Sequence, residues 1–248
     1  MPNPDKTAEP VTDRRKKPRY AISPNFPLKA VLALPGENDG AWRDWPATLV
    51  DLSVTGAHVQ VSMAAVAFPE SQCRLKLSLG TFKVEIPGTV AHYVCSSRLA
   101  VGGVQLYFHD PGVEKAYQRV LDAVIIGASL APAEASQEYS VRYKEEYSGK
   151  PSARLTVWRE KAGDPVSGFD FRMNRYGVEA ERDPGGDPSA RLVLKFKLSA
   201  AGESAGSGSA RPLPPAQEQE ARWLFRLAAT NLSTAVAADV RKLLQSLV

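Results

Sequence analysis

Between residues 28 and 108 the apolar side chains return at every second position, in short runs. Cys73, Leu75, Leu77 and Leu79 alternate with Arg74, Lys76 and Ser78. Phe82, Val84 and Ile86 alternate with Lys83 and Glu85, and Val104, Leu106 and Phe108 with Gln105 and Tyr107. A strand points successive side chains to opposite faces, so this pattern places one face on a core and the other in water. Runs at residues 28–34, 47–51 and 57–61 bring the set to about six short strands joined by Gly- and Pro-containing turns, which closes into a barrel or packs as a sandwich. The period then changes. Asp110-Pro111 reads as an N-cap followed by proline at the first helical position, and Val113, Tyr117, Val120 and Val124 repeat at helical spacing behind it.

A second unit repeats the recipe. Tyr139, Val141 and Tyr143 alternate with Ser140, Arg142 and Lys144, and further strand signals lie at Leu155 and Val157, Phe169 and Phe171, Val178 and Ala180, and Leu192 to Leu198. Residues 199–215 are Gly/Ser/Ala/Pro-rich. Residues 216–248 read as helix, broken at Asn231 to Thr234 with Ser233 as a cap for the second piece. The organisation expected is a basic arm at 1–20, a β unit with its helix at 21–128, a linker at 129–137, and a second β-rich domain at 138–248 ending in a helical tail. That tail packs on its own barrel or, as the alternative, on a second protomer.

The remaining signals mostly exclude. The N-terminal residues Met1 to Lys6 are polar, without the apolar core of a secretory signal. The longest uncharged apolar stretch, residues 123–133, is interrupted by Gly127, Ser129 and Pro132 and falls short of the roughly 20 residues a membrane span needs. A cytoplasmic chain is expected. Cys73 and Cys95 sit in strand-like runs and read as small buried apolar residues, and His58, His92 and His109 lack ligand spacing, so neither a metal nor a cofactor is expected. No nucleophile, acid–base or phosphate-loop constellation is present, so the chain does not read as an enzyme. The four tryptophans read as core or interface residues.

Two features carry chemistry. The net charge is only +4, yet Arg14-Arg15-Lys16-Lys17-Pro18-Arg19 holds five cations in six residues. Pro18 disfavours helix at Lys17, so Arg15 and Arg19 lie on an extended or turning backbone that can wrap a ligand. A guanidinium fork matches phosphate oxygens and the O6/N7 edge of guanine alike. The second feature, Asp51-Leu52-Ser53-Val54-Thr55-Gly56, lies between two strand runs. Ordinary turn chemistry accounts for part of it. In a site, Asp51 accepts from base N–H groups or orients an arginine, Ser53 reaches a phosphate or base edge, and Gly56 turns the chain without a side chain filling the pocket.

Taken in this order, the two features resemble the PilZ domain family, whose signature is Arg-x-x-x-Arg followed by (Asp/Asn)-x-Ser-x-x-Gly. Arg15 to Arg19 and Asp51 to Gly56 match every position, and residues 101–106, Val-Gly-Gly-Val-Gln-Leu, look like the family's late Gly-Val strand. The resemblance covers roughly residues 12–128. It implies a mainly β fold with α: a six-stranded β-barrel plus helix, followed here by a second β-barrel-like unit with its helical tail. It also implies a ligand, cyclic di-GMP, clamped by Arg15 and Arg19 against a wall of Asp51, Ser53 and Gly56. Arg14, just before the motif, is the position that in the family accompanies an intercalated ligand dimer. Arg172-Met173-Asn174-Arg175-Tyr176-Gly177 echoes the turn motif, with Arg172 where Asp51 would stand and no arginine pair in an arm before it, so the second unit reads as a degenerate PilZ-like unit with Arg172, Arg175, Arg182 and Lys144 as solvated charges.

The function expected is that of a cyclic di-GMP effector that changes conformation to regulate a protein partner in motility, pili or exopolysaccharide synthesis. The alternative is a ligand-independent interaction module. Nucleic-acid binding by the arm, with its steep salt dependence, ranks below both.

Overall fold

The computed structural model describes residues 17–36, 41–133, 143–182, 192–198 and 213–248. Arg14, Arg15 and the rest of the arm before Lys17 lie outside the described residues, as do Tyr139, Val141, residues 134–137 of the expected linker and most of the Gly/Ser/Ala/Pro-rich segment.

The first sheet comprises β1 (Tyr20–Ala21), β2 (Lys29–Pro35), β3 (Trp42–Ser53), β4 (Gly56–Val61), β5 (Gln72–Leu79), β6 (Phe82–Cys95) and β7 (Ala100–Leu106), and α1 (Pro111–Ser129) follows it. The second comprises β8 (Ala131–Pro132), β9 (Tyr143–Gly149), β10 (Ala153–Arg159), β11 (Gly168–Met173), β12 (Tyr176–Glu181) and β13 (Lys195–Leu198), followed by α2 (Pro215–Thr230) and α3 (Ala238–Ser246).

The first sheet closes. Its order is β3-β2-β5-β6-β7-β4, and β4 returns to pair with β3. Closure depends on the length of β3. Residues 42–47 pair with β2, while residues 47–53 pair with β4 across a bulge between Leu49 and Asp51. A closed sheet leaves no edge, so the alternation seen in sequence becomes an inside and an outside. Leu75, Leu77, Ile86, Val104 and Leu106 are buried in the barrel. Helix α1 covers this core with Tyr117, Val120, Leu121 and Val124. It starts as expected: Asp110 Oδ1 accepts from the Gly112 amide at 2.6 Å, with proline in the first turn.

The second sheet takes a different form from the barrel-like unit expected. Its six strands pair in sequence order as an antiparallel meander, with no closing pairing among the described residues. Helices cover its apolar face instead. Phe225 of α2 meets Phe169, Phe171 and Phe196 with ring centroids 6.1–6.3 Å apart, and Val240 and Leu244 of α3 and Ile126 of α1 join the same core. Helix α2 also faces the barrel. Leu227 enters the barrel core, Trp223 stacks on Phe82 at 4.8 Å, and Gln219 donates to Thr81 Oγ1 at 2.9 Å. The helical tail therefore packs on both sheets of its own chain.

Four local expectations are corrected. Cys73 is buried, and burial pushes its thiol up to about 12, but Cys95 is exposed because β6 overruns the barrel's core. Ser233 does not cap α3: its hydroxyl accepts from the Ala235 amide at 3.2 Å in the preceding turn, and the N-cap is Ala237 without a side-chain bond. Lys144 pairs with Glu146 at 2.5 Å and Arg172 lies 3.5 Å from Asp170, both side chains mostly covered rather than solvated, whereas Arg175, 3.1 Å from Glu220, stays more than half exposed as a solvated charge does. Trp42 is a rim residue, partly exposed under the Arg74 guanidinium at 4.2 Å, because β3 starts five residues earlier than its apolar run.

Candidate ligand-binding site

The Asp51–Gly56 segment ends one strand and begins the next. Ser53 pairs with Gly56, leaving Val54 and Thr55 as a two-residue turn. Ser53 is buried, and its hydroxyl donates to the Gly56 carbonyl at 3.2 Å. Beneath the turn lies Tyr117 of α1, whose hydroxyl is 2.7 Å from Ser53 O and 3.1 Å from Gly56 O and donates to this pair. Burial raises the Tyr117 phenol above its ordinary range, opposed by the Arg19 charge and reinforced by that of Asp51, so it remains a protonated donor. Thr55 O accepts from the Leu106 amide at 2.9 Å. The turn is thus anchored to β7 and to the helix, a rigid base for side chains that face outward.

Gly56 is required by close approach. A Cβ there would sit 2.9 Å from the Val104 carbonyl oxygen, 3.4 Å from Ser53 Oγ and 3.9 Å from an Arg19 guanidinium nitrogen. It is not among the glycines with positive φ, so of the two reasons expected for Gly56, turning the chain and leaving out a side chain, the second is the one the geometry requires.

The arm reaches this turn by pairing. Tyr20 lies opposite Leu52 and Ala21 opposite Asp51, and the Ile22 amide donates to Val50 O at 2.9 Å. Val50 is the extra residue of the bulge, which re-aims the residues that follow it. Laid along β3 in this way, the chain brings Arg19 to Asp51: Nη1 donates to Oδ1 at 2.7 Å, with both side chains partly exposed. Lys17 Nζ donates to Thr55 Oγ1 at 3.4 Å.

The structure therefore brings four of the six sequence-derived residues, Arg19, Asp51, Ser53 and Gly56, into one constellation. Arg14 and Arg15 lie outside the described residues. Sequence reasoning missed three neighbours. Tyr117 was legible only as an apolar helix position, although a buried tyrosine needs a partner for its hydroxyl. His58, opposite Asp51 in β4, holds Nδ1 3.3 Å from Asp51 Oδ2. His92 of β6 lies with its ring centroid 5.5 Å from that of His58, so two histidines far apart in sequence meet, and the first of them stands beside the carboxylate. Among the described residues no group of three or more His, Cys, Asp or Glu side chains is arranged to hold a metal.

A family model described as the PilZ domain matches residues 13–123. This part of the chain is a PilZ domain. Among solved structures, the PilZ-containing chain is similar to the K. pneumonia MrkH–c-di-GMP complex at 14% identity, covering 47% of this chain and 54% of that one with a TM-score of 0.39. It is similar to the PilZ domain with c-di-GMP of YcgR from Escherichia coli at 15% identity, covering 43% and 88% with a TM-score of 0.32. A second MrkH structure, described as a c-di-GMP-dependent transcription regulatory factor, matches at 14% identity, covering 46% and 52% with a TM-score of 0.36. The matches thus span about half the length of the MrkH chains, 54% and 52%. No curated protein matches the chain. No described helix is long and apolar enough to cross a membrane.

Proposed function

We propose that this protein is a cyclic di-GMP receptor, an effector rather than an enzyme, acting in the cytoplasm on a downstream protein partner in motility, pili or exopolysaccharide synthesis. The observation that carries the reading is the Arg19–Asp51 contact at the mouth of the Asp51–Gly56 turn, inside a matched PilZ domain. Arg19 is the second arginine of Arg15-x-x-x-Arg19, and the turn supplies Asp51, Ser53 and Gly56.

The chemistry is an exchange of partners. Cyclic di-GMP offers two phosphates and two guanine edges, and both suit a guanidinium fork. Without ligand, Arg19 rests on Asp51. With ligand, Arg15 and Arg19 close on phosphate and guanine, and Asp51 accepts from the guanine N–H groups or holds Arg19 in place. Arg14 extends the cationic arm and suits a second, intercalated ligand. The Arg19–Asp51 contact is partly exposed, so breaking it costs about 1 kcal/mol or less. Charge-assisted bonds to the ligand exceed that cost. The barrel unit, 21–128 with its arm, is read as the receptor, and the second β-rich unit as the element through which the signal leaves.

Calorimetric titration of the full chain with cyclic di-GMP tests this. Saturable heat in the wild type and its loss in Arg19→Ala and Arg15→Ala are expected. No heat in the wild type overturns the reading and leaves the ligand-independent interaction module; equal heats in wild type and variants move the site elsewhere.

A further inference from the structure

The segment between β1 and β2 leaves the edge of β3. Ala21 is paired with Asp51 and Ala30 with Ala47, and the residues between them swing outward. The Ser23 amide therefore has no strand partner. It donates instead to Oδ1 of Asn231, 208 positions away, at 2.9 Å. Ser23 Oγ donates to Thr230 O at 2.8 Å. The Asn231 amide nitrogen donates to Ala21 O at 3.2 Å and to Val124 O at 3.5 Å. One amide orientation alone fits an N–H donor on one side and two carbonyls on the other.

Asn231 is buried, and it ends α2 at the corner leading to α3. Helix α1 reaches the same point. A Cβ at Gly127 would stand 2.4 Å from Ala228 O and 2.9 Å from Asn231 O, and Gly127 O accepts from the Ser233 amide at 2.9 Å. The other end of α1 holds the Ser53–Gly56 turn through Tyr117. Two elements that touch the candidate site, the root of the arm and α1, thus converge on a single buried side chain of the second unit.

We propose that Asn231 is a positioning residue for the arm, and that it couples occupancy of the candidate site to the α2–α3 corner. The inference rests on the receptor reading above. With Ala21 and Ser23 held, Tyr20 stays on β3 and Arg19 stays at Asp51, so the ligand meets a root that is already ordered. Without the clamp, ordering the root is charged against binding. Coupling is reciprocal, so a side chain that strengthens ligand binding also passes the ligand's effect to the helices it joins.

The test is calorimetry and amide hydrogen exchange of the full chain, with and without saturating cyclic di-GMP, for wild type, Asn231→Ala and Ser23→Ala. In the wild type, ligand is expected to slow exchange at residues 230–238 and in α3. In Asn231→Ala, affinity falls by about 5-fold or more and the ligand-dependent change in α3 disappears. Ser23→Ala, which keeps Asn231 and removes only the hydroxyl bond to Thr230 O, shows a smaller loss of the same kind and decides the matter if Asn231→Ala does not fold. A merely structural role would lower melting temperature but leave affinity and the ligand-dependent exchange intact, and that result overturns the proposal. So does a wild-type protein that binds ligand without any change at α3. A wild type that shows no heat removes the receptor reading and this inference together.

Discussion

The two sheets solve the same problem in opposite ways. Both are antiparallel and both have an apolar face, but the first curls until β4 meets β3, whereas the second, among the described residues, stays open from β8 to β13 and borrows cover from α1, α2 and α3. A barrel fills its interior with its own side chains, such as Leu75, Leu77 and Ile86. An open sheet depends on what is laid over it, here Phe225, Val240 and Leu244. The barrel is thereby a rigid platform for a turn, and the open sheet is sensitive to any shift of its helices. A change at the α2–α3 corner should register in the second sheet before the first.

The largest expected effect separates the two cores. Phe225→Ala empties the centre of an aromatic cluster and should cost about 3–5 kcal/mol. Hydrogen exchange should rise in β10, β11 and α3 while β5 and β6 keep their protection. The counterpart, Leu75→Ala, should cost about 2–5 kcal/mol and loosen the barrel. If both variants unfold the two sheets in one common transition, the contrast fails.

Acid should act on the second unit in the same selective way. Arg159 is buried, donates to Glu145 Oε1 at 2.6 Å, and lies 2.7 Å from Asp239 Oδ2 on α3. Its hydrogen bond holds the Asp239 carboxyl below the usual 3.8, with burial opposing. A depressed folded-state value contributes stability above the unfolded value and loses it as pH falls through the folded one. Docking of α3 should therefore weaken below about pH 4, ahead of barrel unfolding, as read by exchange in α3 against β6. Arg159→Ala should cost about 1.5–3 kcal/mol at neutral pH and abolish that acid step.

Tyr117→Phe comes next. It leaves Ser53 O and Gly56 O without the phenol and should cost about 1–2 kcal/mol, with faster exchange in β4 than in β10. Arg19→Ala should change stability least, by about 1 kcal/mol or less because the pair is partly exposed, and affinity for cyclic di-GMP most. A melting curve beside a titration separates these effects.

The alternation at 73–79 and 82–86 and the cap at Asp110-Pro111 were readable because each acts within a few residues. So was the Asp51–Gly56 turn, whose Ser53 and Gly56 bond each other. The Arg19–Asp51 contact was readable only through resemblance to a known signature, since 32 positions separate the partners. His58 beside Asp51 and Tyr117 under the turn left no signal of their contacts, and Asn231 signalled only the helix break it makes and not its grip on the arm's root: each gains its role from a strand register or a helix crossing. The same blindness made the second sheet look like another barrel, since period-two alternation says that one face is buried and not what buries it.

The sequence by itself determined the order of strand and helix segments, which faces are apolar, the start of α1, and that five cations gather before the first strand, because propensity, capping and charge are local. Only the tertiary structure decided that one sheet closes and the other is roofed by helices, that Gly56 is needed for the space beside Val104, and that Asn231 grips Ala21 and Ser23. These depend on contacts between residues tens to hundreds of positions apart, and packing sets them after the local pattern has been satisfied.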